Sequence, residues 1–520
     1  MHNNRTTHVY AIITFLILAL SYAYFLPKWG DWNANSRANL VYAVVDQGVL
    51  HIDDYHENTG DKACYPGPYD LEEDTCEGHY YTDKSLGPSL VAIPFYVAYS
   101  GLTTIIPVDS LINSENLPGN FADTLNPEGR GAIEESIQQG MALTFITFFA
   151  MSVPSAILGV AVFLFALRFT ERPINAFVLA LAYGLATIAF PYSNTLMQHQ
   201  LAAFGAFVGF YLLWRVIYEQ ASLRWLWVVG LLFSLTVITD YPMVLVLALI
   251  FLWAVAVFPN RLALYRVVIA AIPLGLLFAA YNYAIFETIM PVGYDYSTLW
   301  QDVHSEGFFS LTMPSLERLY GLTFSPSKGV FLVSPFLLLF VPGLWMMWRK
   351  GLRYRHAALL LGLIIAAQFL FYSASVMWWG GHTIGPRYLT SMLPFMVLPI
   401  IFVFNYLFAR TWGILVTALL IGLSGLHVWI QTIAGQSWPP TDILPLTIET
   451  MNAYFPVFDY SLPLLLEGNI ARNYGGLVLG LSGLASVLPL LLAIALIGVG
   501  ATYYVHRSAT SREQLLVLEN

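Results

Sequence analysis

Long apolar runs, most of them close to twenty residues, recur along this sequence from its first part to its last. Runs of this length match the hydrocarbon thickness of a bilayer, so the pattern predicts an all-α polytopic membrane protein, one integral domain over residues 1–520. The stretch 225–258 must hold two helices, because a single helix would be about 50 Å long, and Asp240 with its following proline supplies the break. The predicted crossings number about twelve, near residues 9–26, 139–167, 174–191, 200–217, 225–239, 241–258, 266–289, 329–348, 357–378, 388–408, 411–432 and 476–504.

The apolar run 89–106 is ambiguous, because Pro94 and Gly101 weaken it as a spanning helix. If it lies along the membrane surface, fourteen of the 23 Lys and Arg residues fall on the cytoplasmic side, whereas only six do if it spans. Since cytoplasmic loops carry the excess of basic residues, we predict a surface or re-entrant helix and cytoplasmic termini. The resulting parts are an extracytoplasmic first loop (27–138), a core bundle (139–432) with an outside loop (290–328), a second outside loop (433–475), and a last helix with a cytoplasmic tail (476–520).

The polar stretch from Pro27 to Gly87 differs from the rest of the chain, since it holds twelve carboxylates and only four Lys or Arg. Within it, apolar and polar residues between positions 34 and 47 recur with the period of an α-helix. This pattern predicts an interfacial helix with an apolar side and a polar side. Arg37 breaks this pattern by projecting from the apolar side. It either extends to the lipid headgroups or binds an anionic partner such as a lipid phosphate.

Composition agrees with this class of protein. Hydrophobic residues make up 57% and charged residues 11%, with a mean hydropathy of +0.64, which excludes an ordinary soluble protein. Arg5 precedes the first apolar run and no small-residue cleavage site follows it, so we expect an anchor rather than a removable signal peptide. Nucleotide-binding, HExxH and CxxC motifs are absent from the sequence. We therefore expect no nucleotide cofactor, and no nucleic-acid partner.

The chain has two cysteines, Cys64 and Cys76, and both lie in the polar stretch. If this loop faces an oxidising compartment, a disulfide between them is expected. If it does not, they are free thiols.

Under this topology the informative polar residues collect on the extracytoplasmic side, while the helix interiors are nearly free of charge. A transporter usually carries ionisable groups in mid-helix. The pattern therefore favours an interfacial site that faces away from the cytoplasm. The residues concerned are Asp31, Asp83, Lys84, His199, Asp240, Lys328, His382 and Arg387.

Three stretches carry a family resemblance: YYTDKSLGPSL at 80–90, FSPSKGVFLVSPFLLLF at 324–340 and MWWGGHTIGPRYLTSMLPF at 377–395. Together with the acidic loop after the first helix, they resemble the GT-C glycosyltransferases that use a polyprenyl-phosphate sugar, namely the protein O-mannosyltransferases and the lipid A aminoarabinose transferases. The resemblance covers most of the chain. It implies a GT-C-like helix bundle and inverting transfer of a sugar to an extracytoplasmic lipid, glycan or protein acceptor.

The resemblance also implies roles for individual residues. Lys84 matches the family lysine that approaches the donor phosphate, and Asp83 matches the acid before it; the alternative is an ordinary surface ion pair. Arg387 is expected as a second phosphate-binding cation, or else as a cap or headgroup contact. Arg37 is expected to be a third phosphate-binding residue.

His199 stands where the aminoarabinose transferases carry a functional aspartate. Its expected role is to hold a metal, to contact the phosphate or to orient a base. The alternative is a polar anchor at the membrane boundary. Tyr81, Trp379 and His382 are candidates for lining the sugar pocket, and aromatic belt residues are the alternative reading.

The resemblance to the family is weakest at the general base. The family has an acid about three residues before an arginine. The corresponding run here is NANSR, and the nearest carboxylate is Asp31, six residues before Arg37. Asp53, Asp54 and Asp61 are the other candidates for the base. A divalent cation is also possible, because Asp83 and His199 together with water would suit a hard cation.

The leading function is thus a glycosyltransferase of the cell membrane that uses a polyprenyl-phosphate sugar. Two alternatives remain open: a flippase or transporter of lipid-linked glycans, and a non-catalytic membrane subunit that binds lipid or glycan. Only the enzyme would release free polyprenyl phosphate from a lipid-linked sugar.

Overall fold

The computed structural model describes residues 4–27, 31–73, 75–105, 134–301, 304, 306–307, 310–435 and 447–500, and these ranges are mostly helical. The helices are α1 (Asn4–Tyr24), α2 (Trp32–Tyr42), α3 (Leu86–Ile105), α4 (Glu134–Thr147), α5 (Val153–Ala166), α6 (Pro173–Leu185), α7 (Ala189–Tyr192), α8 (Gln198–Tyr218), α9 (Trp225–Thr239), α10 (Met243–Val257), α11 (Tyr265–Phe286), α12 (Leu316–Phe324), α13 (Val330–Val333), α14 (Phe340–Trp348), α15 (Leu352–Ala374), α16 (Leu393–Val397), α17 (Ile400–Leu407), α18 (Thr411–Ala434), α19 (Ile448–Ala453), α20 (Leu462–Leu466), α21 (Tyr474–Leu479) and α22 (Gly483–Gly500). The strands are β1 (Lys62–Tyr65), β2 (Tyr69–Asp70), β3 (Thr75–Cys76) and β4 (His79–Thr82).

Eight helices of the described ranges are long and apolar enough to cross a membrane, or nine if the bent pair Arg387–Val397 and Ile400–Leu407 forms one span. This confirms the predicted class, an all-α polytopic membrane protein. The break predicted at Asp240 is also confirmed, because α9 ends at Thr239 and α10 begins at Met243. All the predicted crossings coincide with helices, but four of those helices have only 10–17 residues. The number of crossings therefore stays a prediction.

Small residues allow the bundle helices to pack closely. A Cβ added to Gly159 on α5 or to Gly184 on α6 would lie 2.1 or 2.4 Å from a methyl carbon of Leu18 on α1. The side chain of Leu18 thus fills the space between these two helices. Close packing of this kind stabilises contacts between helices inside a membrane, where the hydrophobic effect does not drive helices together.

The first loop contains a small disulfide-linked hairpin. β1 pairs antiparallel with β4, and β2 with β3. Cys64 and Cys76 are joined by a disulfide, with Cα atoms 5.7 Å apart. Because the loop emerges directly after α1, the hairpin lies at one end of the bundle.

The helix expected at 34–47 differs from the sequence prediction in its surroundings. It comprises α2 and a π-helical turn at Ala43–Gln47, and residues 33–43 of it are buried. On the expected polar side, Asn35 donates to the carbonyl of Asn58 (3.0 Å) and Asn39 to that of Tyr55 (2.8 Å). The segment following α2 folds back over its polar side, so this side faces protein and not water, while the position of the helix at the membrane interface stays a prediction.

α3 is one of the eight helices that are long and apolar enough to span, and it packs against α9, α4 and the π-helical turn between α4 and α5. It begins with Gly87 against Thr239, the last residue of α9, and a Cβ on this glycine would lie 2.1 Å from the Thr239 hydroxyl. Further along, Phe95 stacks on Phe149 at 5.3 Å and Tyr99 contacts Phe145 at 5.5 Å. Successive turns of α3 thus meet earlier residues of the α4–α5 helix, away from its far end. The depth of α3 in a bilayer stays a prediction.

Candidate functional site

The register of the hairpin brings two carboxylates together. Lys62 lies opposite Thr82, so Asp61, which precedes β1, comes beside Asp83, which follows β4. The ammonium Nζ of Lys84 is 3.1 Å from Asp61 Oδ2 and 3.1 Å from Asp83 Oδ1. We call Asp61, Asp83 and Lys84 the acid–lysine cluster.

Burial and mutual charge separate the pKa values of the cluster. All three residues are less than a tenth exposed. Burial raises the pKa of Asp83, and the Asp61 carboxylate adds to the effect, beyond what Lys84 offsets. Burial acts in the same direction on Asp61, but the charge of Lys84 and hydrogen bonds from Lys84 and Trp300 outweigh it, so this pKa is lowered. Burial alone would lower the pKa of Lys84, but the two carboxylates raise it.

Residues 293–301, which we call the cover segment, lie over the acid–lysine cluster. The segment is fastened to β1, because the Thr298 N–H donates to the carbonyl of Lys62 (2.9 Å). Its contacts with the cluster are a hydrogen bond from Ser297 Oγ to Asp83 Oδ2 (3.0 Å), one from Trp300 Nε1 to Asp61 Oδ1 (3.1 Å), and the ring of Tyr294, whose centroid is 4.9 Å from Lys84 Nζ. The cover segment thus occupies one oxygen of each carboxylate.

α2 carries Arg37 into the interior beside this cluster. The guanidinium is fully buried, donates to Gln198 Oε1 (2.6 Å) and Ser85 Oγ (3.3 Å), and also contacts the side chain of Asn33. Its Nε has no hydrogen-bond partner among the described residues. Burial lowers the pKa of Arg37. Of the two predicted alternatives, extension to the headgroups is wrong, because no part of the side chain reaches the surface.

Residues 380–387, which we call the glycine-rich turn, include Arg387 and contact a second cation, Lys328. Lys328 is 1% exposed, and its Nζ donates to the carbonyls of Gly381 (2.8 Å) and Thr383 (2.7 Å). Burial, helped by the charge of Arg387, lowers the pKa of Lys328 well below its usual value. Gly380 has φ +69°, and a Cβ there would lie 3.0 Å from Arg387 Cγ, so this backbone passes directly beside the arginine.

His199 lies at the start of α8, and its Nδ1 faces a carboxylate. The distance to Asp240 Oδ2 is 3.4 Å, and the same oxygen accepts a hydrogen bond from Ser391 (3.2 Å). The ring contacts Tyr388 with centroids 5.5 Å apart, and Nε2 is buried without a hydrogen-bond partner among the described residues. Asp240 thus orients His199 so that Nε2 remains available.

Arg387 lies within electrostatic range of Arg37, His199 and Lys328. We call Arg37, Lys328 and Arg387 the cation cluster, and His199 lies beside it. Within the described ranges, no carboxylate lies within 4 Å of Arg37, Lys328 or Arg387. Arg37 also lies within electrostatic range of Asp61 and Asp83, and it donates to Ser85, the residue after Lys84.

Comparison with known proteins adds a structural likeness. No family model matches the chain, and no curated protein matches it. A crystal structure of ArnT from Cupriavidus metallidurans bound to undecaprenyl phosphate is similar over 89% of this chain and 74% of that chain, at 14% identity and a TM-score of 0.41. The function of this chain has to be argued from its own residues.

The four candidates for the base have different surroundings. Asp31 caps α2 by accepting from the backbone N–H of Asn33 (3.0 Å) and Ala34 (3.2 Å), and it also lies within electrostatic range of Arg387. Asp54 accepts from Gln47 at the surface (2.6 Å), and Asp53 contacts two histidines outside the site. Among the four, only Asp61 belongs to the acid–lysine cluster.

The other predicted substrate ligands are more dispersed. Tyr81 packs against Phe286 with centroids 6.1 Å apart, Trp379 is half-buried beside the glycine-rich turn, and His382 is exposed. Their roles in sugar binding stay predictions. A cation held between Asp83 and His199 also stays a hypothesis, since Asp83 is engaged by Lys84 and Ser297 while His199 faces Asp240.

Lys328 was expected on the side of the site but without an individual role, and the cover segment was not expected to contribute at all. Lys328 was available as a signal, because it is a lone lysine in a stretch of apolar and small residues. The cover residues Tyr294, Ser297 and Trp300 had no comparable signal, since loop residues of these types are common and only tertiary folding brings them onto the carboxylates.

Proposed function

We propose that this protein transfers a sugar from a polyprenyl-phosphate donor to an extracytoplasmic acceptor. One observation carries the proposal: the guanidinium Nε groups of Arg37 and Arg387 are buried N–H donors without an acceptor among the described residues. Buried donors in folded proteins are almost always satisfied. A phosphate group, with several oxygen acceptors and negative charge, suits two guanidinium groups and a nearby lysine.

An apolar cavity whose lining includes a residue four positions after Lys328 supports a phosphate carried on a lipid. Leu332 on α13, the short helix that follows Lys328, lines an apolar cavity of about 190 Å³. Leu423 and Leu426 of α18 and Phe455 form other parts of its wall. Such a cavity accepts part of a hydrocarbon chain, whereas it offers nothing to a free sugar phosphate.

The acid–lysine cluster supplies the base in this proposal. The oxygen of the acceptor hydroxyl attacks the anomeric carbon, the bond between that carbon and the phosphate oxygen breaks, and the phosphate leaves with the electron pair on the cation cluster. Asp83 takes the proton of the hydroxyl. Its raised pKa suits a general base, because proton transfer is most efficient when that pKa approaches the working pH. Asp61 stays ionised and keeps Lys84 charged.

This assignment changes the order of the candidates for the base. Asp31 is engaged in capping α2, where it accepts hydrogen bonds from two backbone N–H groups. We therefore place Asp83 first and keep Asp31 as a residue near the leaving phosphate.

The test uses purified full-length protein, a short polyprenyl-phosphate sugar and a cell-envelope extract as acceptor source. We expect release of free polyprenyl phosphate that depends on the extract. Polyprenyl phosphate alone should bind the wild-type protein, and Arg387→Gln should weaken this binding by about 10- to 100-fold, as expected for the loss of a charge-assisted hydrogen bond. Arg355→Gln is the matched control, because Arg355 is an exposed arginine at the start of α15.

The outcomes separate the proposal from its alternatives. Binding that depends on Arg387 without any release of polyprenyl phosphate would favour a flippase or a lipid-binding subunit. If Arg387→Gln and Arg355→Gln bind polyprenyl phosphate equally well, the cation cluster is not the phosphate site and the proposal fails.

A further inference from the structure

A second group of ligand-type side chains lies outside the candidate site, at the beginning of β4. His51 Nδ1 is 3.1 Å and His79 Nδ1 is 2.7 Å from the same oxygen, Asp53 Oδ2. The two imidazole rings are stacked, with centroids 4.5 Å apart and 17° between their planes. His51 and Asp53 follow the π-helical turn after α2, whereas His79 lies on β4 opposite Tyr65. The group thus joins two separate parts of the first loop.

A hydrogen bond joins His79 Nδ1 to Asp53 Oδ2 (2.7 Å), but no hydrogen bond accounts for the position of His51. The Nδ1 atom of His51 is buried and has no hydrogen-bond partner among the described residues, although Asp53 Oδ2 is only 3.1 Å away. The geometry at this nitrogen is therefore unsuitable for a direct hydrogen bond. A cation between the three atoms would satisfy it, because a metal accepts the nitrogen lone pair without requiring a proton on the line between them.

We propose that His51, Asp53 and His79 form a binding site for a divalent transition metal of the Zn²⁺ type. Zinc binds imidazole nitrogen and carboxylate oxygen at about 2.0–2.2 Å, which places the ligand atoms of a tetrahedron roughly 3.3 Å apart. The three ligand atoms here lie within 4.8 Å of one another. Small adjustments of side chains therefore suffice to complete the site, with water as the fourth ligand. Two imidazole ligands disfavour Mg²⁺ and Ca²⁺, which prefer oxygen.

Two features orient the ligands before a metal binds. The other oxygen of Asp53, Oδ1, accepts a hydrogen bond of 2.7 Å from the backbone N–H of Tyr80, which fixes the plane of the carboxylate. The pairing of β1 with β4 and the disulfide between Cys64 and Cys76 hold the strand that carries His79. The metal would thus link the segment after α2 to the strand that ends in the acid–lysine cluster.

The test measures binding of Zn²⁺ to the full-length protein after removal of any affinity tag and of bound metal. Calorimetric titration should give one saturable site per chain, and Zn²⁺ should raise the midpoint of thermal unfolding, since a ligand that binds the folded state stabilises it. His79→Gln and Asp53→Asn should each weaken binding by at least tenfold. His356→Gln, on α15, should leave the binding unchanged.

A second measurement uses the wild-type protein, so it does not depend on the folding of a variant. The side chains of His51 and His79 are 30% and 51% exposed, and a histidine-modifying reagent can reach both. Zn²⁺ should protect these two residues and not His356, as read by mass spectrometry. Unchanged modification of His51 and His79 at saturating Zn²⁺, or wild-type affinity in both variants, would overturn the proposal.

Discussion

Two buried lysines of the site, Lys84 and Lys328, have opposite electrostatic surroundings. Lys84 contacts the carboxylates of Asp61 and Asp83, and its pKa is raised against the effect of burial. Lys328 contacts only carbonyl and hydroxyl oxygens of the glycine-rich turn, and burial lowers its pKa well below the usual value. The charge of Lys84 is compensated within the protein, whereas that of Lys328 is not.

The difference assigns separate tasks to the two clusters. The acid–lysine cluster is compensated within itself, so it needs no ligand for its charge balance, and in the proposed function it also supplies the base. No carboxylate of the described residues lies within 4 Å of the cation cluster, and an anion bound there would stabilise the charged form of Lys328 and accept hydrogen bonds from the unpaired Nε–H groups of Arg37 and Arg387. The sequence resemblance placed Lys84 on the donor phosphate. The proposed function instead gives that contact to Arg37 and Arg387, because their Nε groups have no hydrogen-bond partner among the described residues.

The largest effect is expected for Asp83→Asn, which tests whether the acid–lysine cluster supplies the base. Turnover should fall about 100- to 10,000-fold, while the affinity for polyprenyl phosphate stays near that of the wild type, because a base acts mainly in the transition state. Steady-state kinetics and a separate binding assay check both expectations. Asn is nearly isosteric with Asp, so a loss of this size reports on charge rather than packing.

Asp31→Asn is the matched control, since asparagine is also a good helix cap and should preserve α2. Its turnover should stay within severalfold of the wild type. If Asp31→Asn loses turnover while Asp83→Asn keeps it, the base is Asp31, and the acid–lysine cluster has only a structural role.

The next effect concerns stability and compares the two lysines directly. Lys84→Met leaves two buried carboxylates without a cation, and breaking a buried ion pair in this way destabilises a protein by about 3–5 kcal/mol. Lys328→Met removes a charge that has no carboxylate partner among the described residues, and it leaves carbonyl groups without a donor. We expect this change to destabilise the protein by about 1–3 kcal/mol. Unfolding of the purified proteins in detergent at pH 7, without ligand, measures both. Equal losses would show that the two lysines do not differ as the structure indicates.

A smaller effect should appear in the pH dependence of stability. Asp61 has a lowered pKa in the folded protein, so its contribution to stability is present above the unfolded pKa and is lost as the pH falls through the folded pKa. Asp83 has a raised pKa, so its contribution has the opposite sign and is lost as the pH rises through the folded pKa. Relative to the wild type at neutral pH, Asp61→Asn should therefore destabilise the protein more than Asp83→Asn.

Unfolding curves from pH 4 to pH 8 measure this difference, which should shrink as the pH falls. A difference that is constant over the whole range would mean that the two carboxyls titrate alike, contrary to their different surroundings.

The parts of the structure that the sequence could predict are those determined locally. Apolar runs of membrane length predicted the helices, and the break at Asp240 follows from the proline two residues later. Asp83 and Lys84 are adjacent in the sequence, so their pairing was accessible as well. Asp61 lies 23 residues before Lys84, and its place in the cluster depends on the strand register, which the sequence alone does not set.

The environment of each residue was the part that sequence reasoning could not supply. The alternation along α2 was interpreted as an apolar side in lipid and a polar side in water, because amphipathic surface helices have that pattern. The same pattern results when a loop such as the one containing Asn58 satisfies the polar side chains of a buried helix. The surroundings of Lys328 were not predictable for a similar reason. Its main acceptors are backbone carbonyls, and because every residue has a carbonyl, the sequence does not indicate which ones it contacts.

The smallest effect is expected in the glycine-rich turn, where two adjacent glycines provide a matched pair. Gly380 and Gly381 both have positive φ, +69° and +79°, so an alanine at either position is strained by about 1–2 kcal/mol. They differ in what the new Cβ would meet: at Gly380 it lies 3.0 Å from Arg387 Cγ, whereas at Gly381 the nearest atom is a ring carbon of Trp379 at 4.0 Å. Both variants should lose similar stability, and only Gly380→Ala should also displace Arg387 and weaken binding of polyprenyl phosphate severalfold. Unfolding and lipid-binding measurements on the two variants separate backbone strain from the position of the arginine. Equal affinities in the two variants would mean that the phosphate does not depend on where this turn places Arg387, and the contrast between the two clusters would then rest on Arg37 and Lys328 alone.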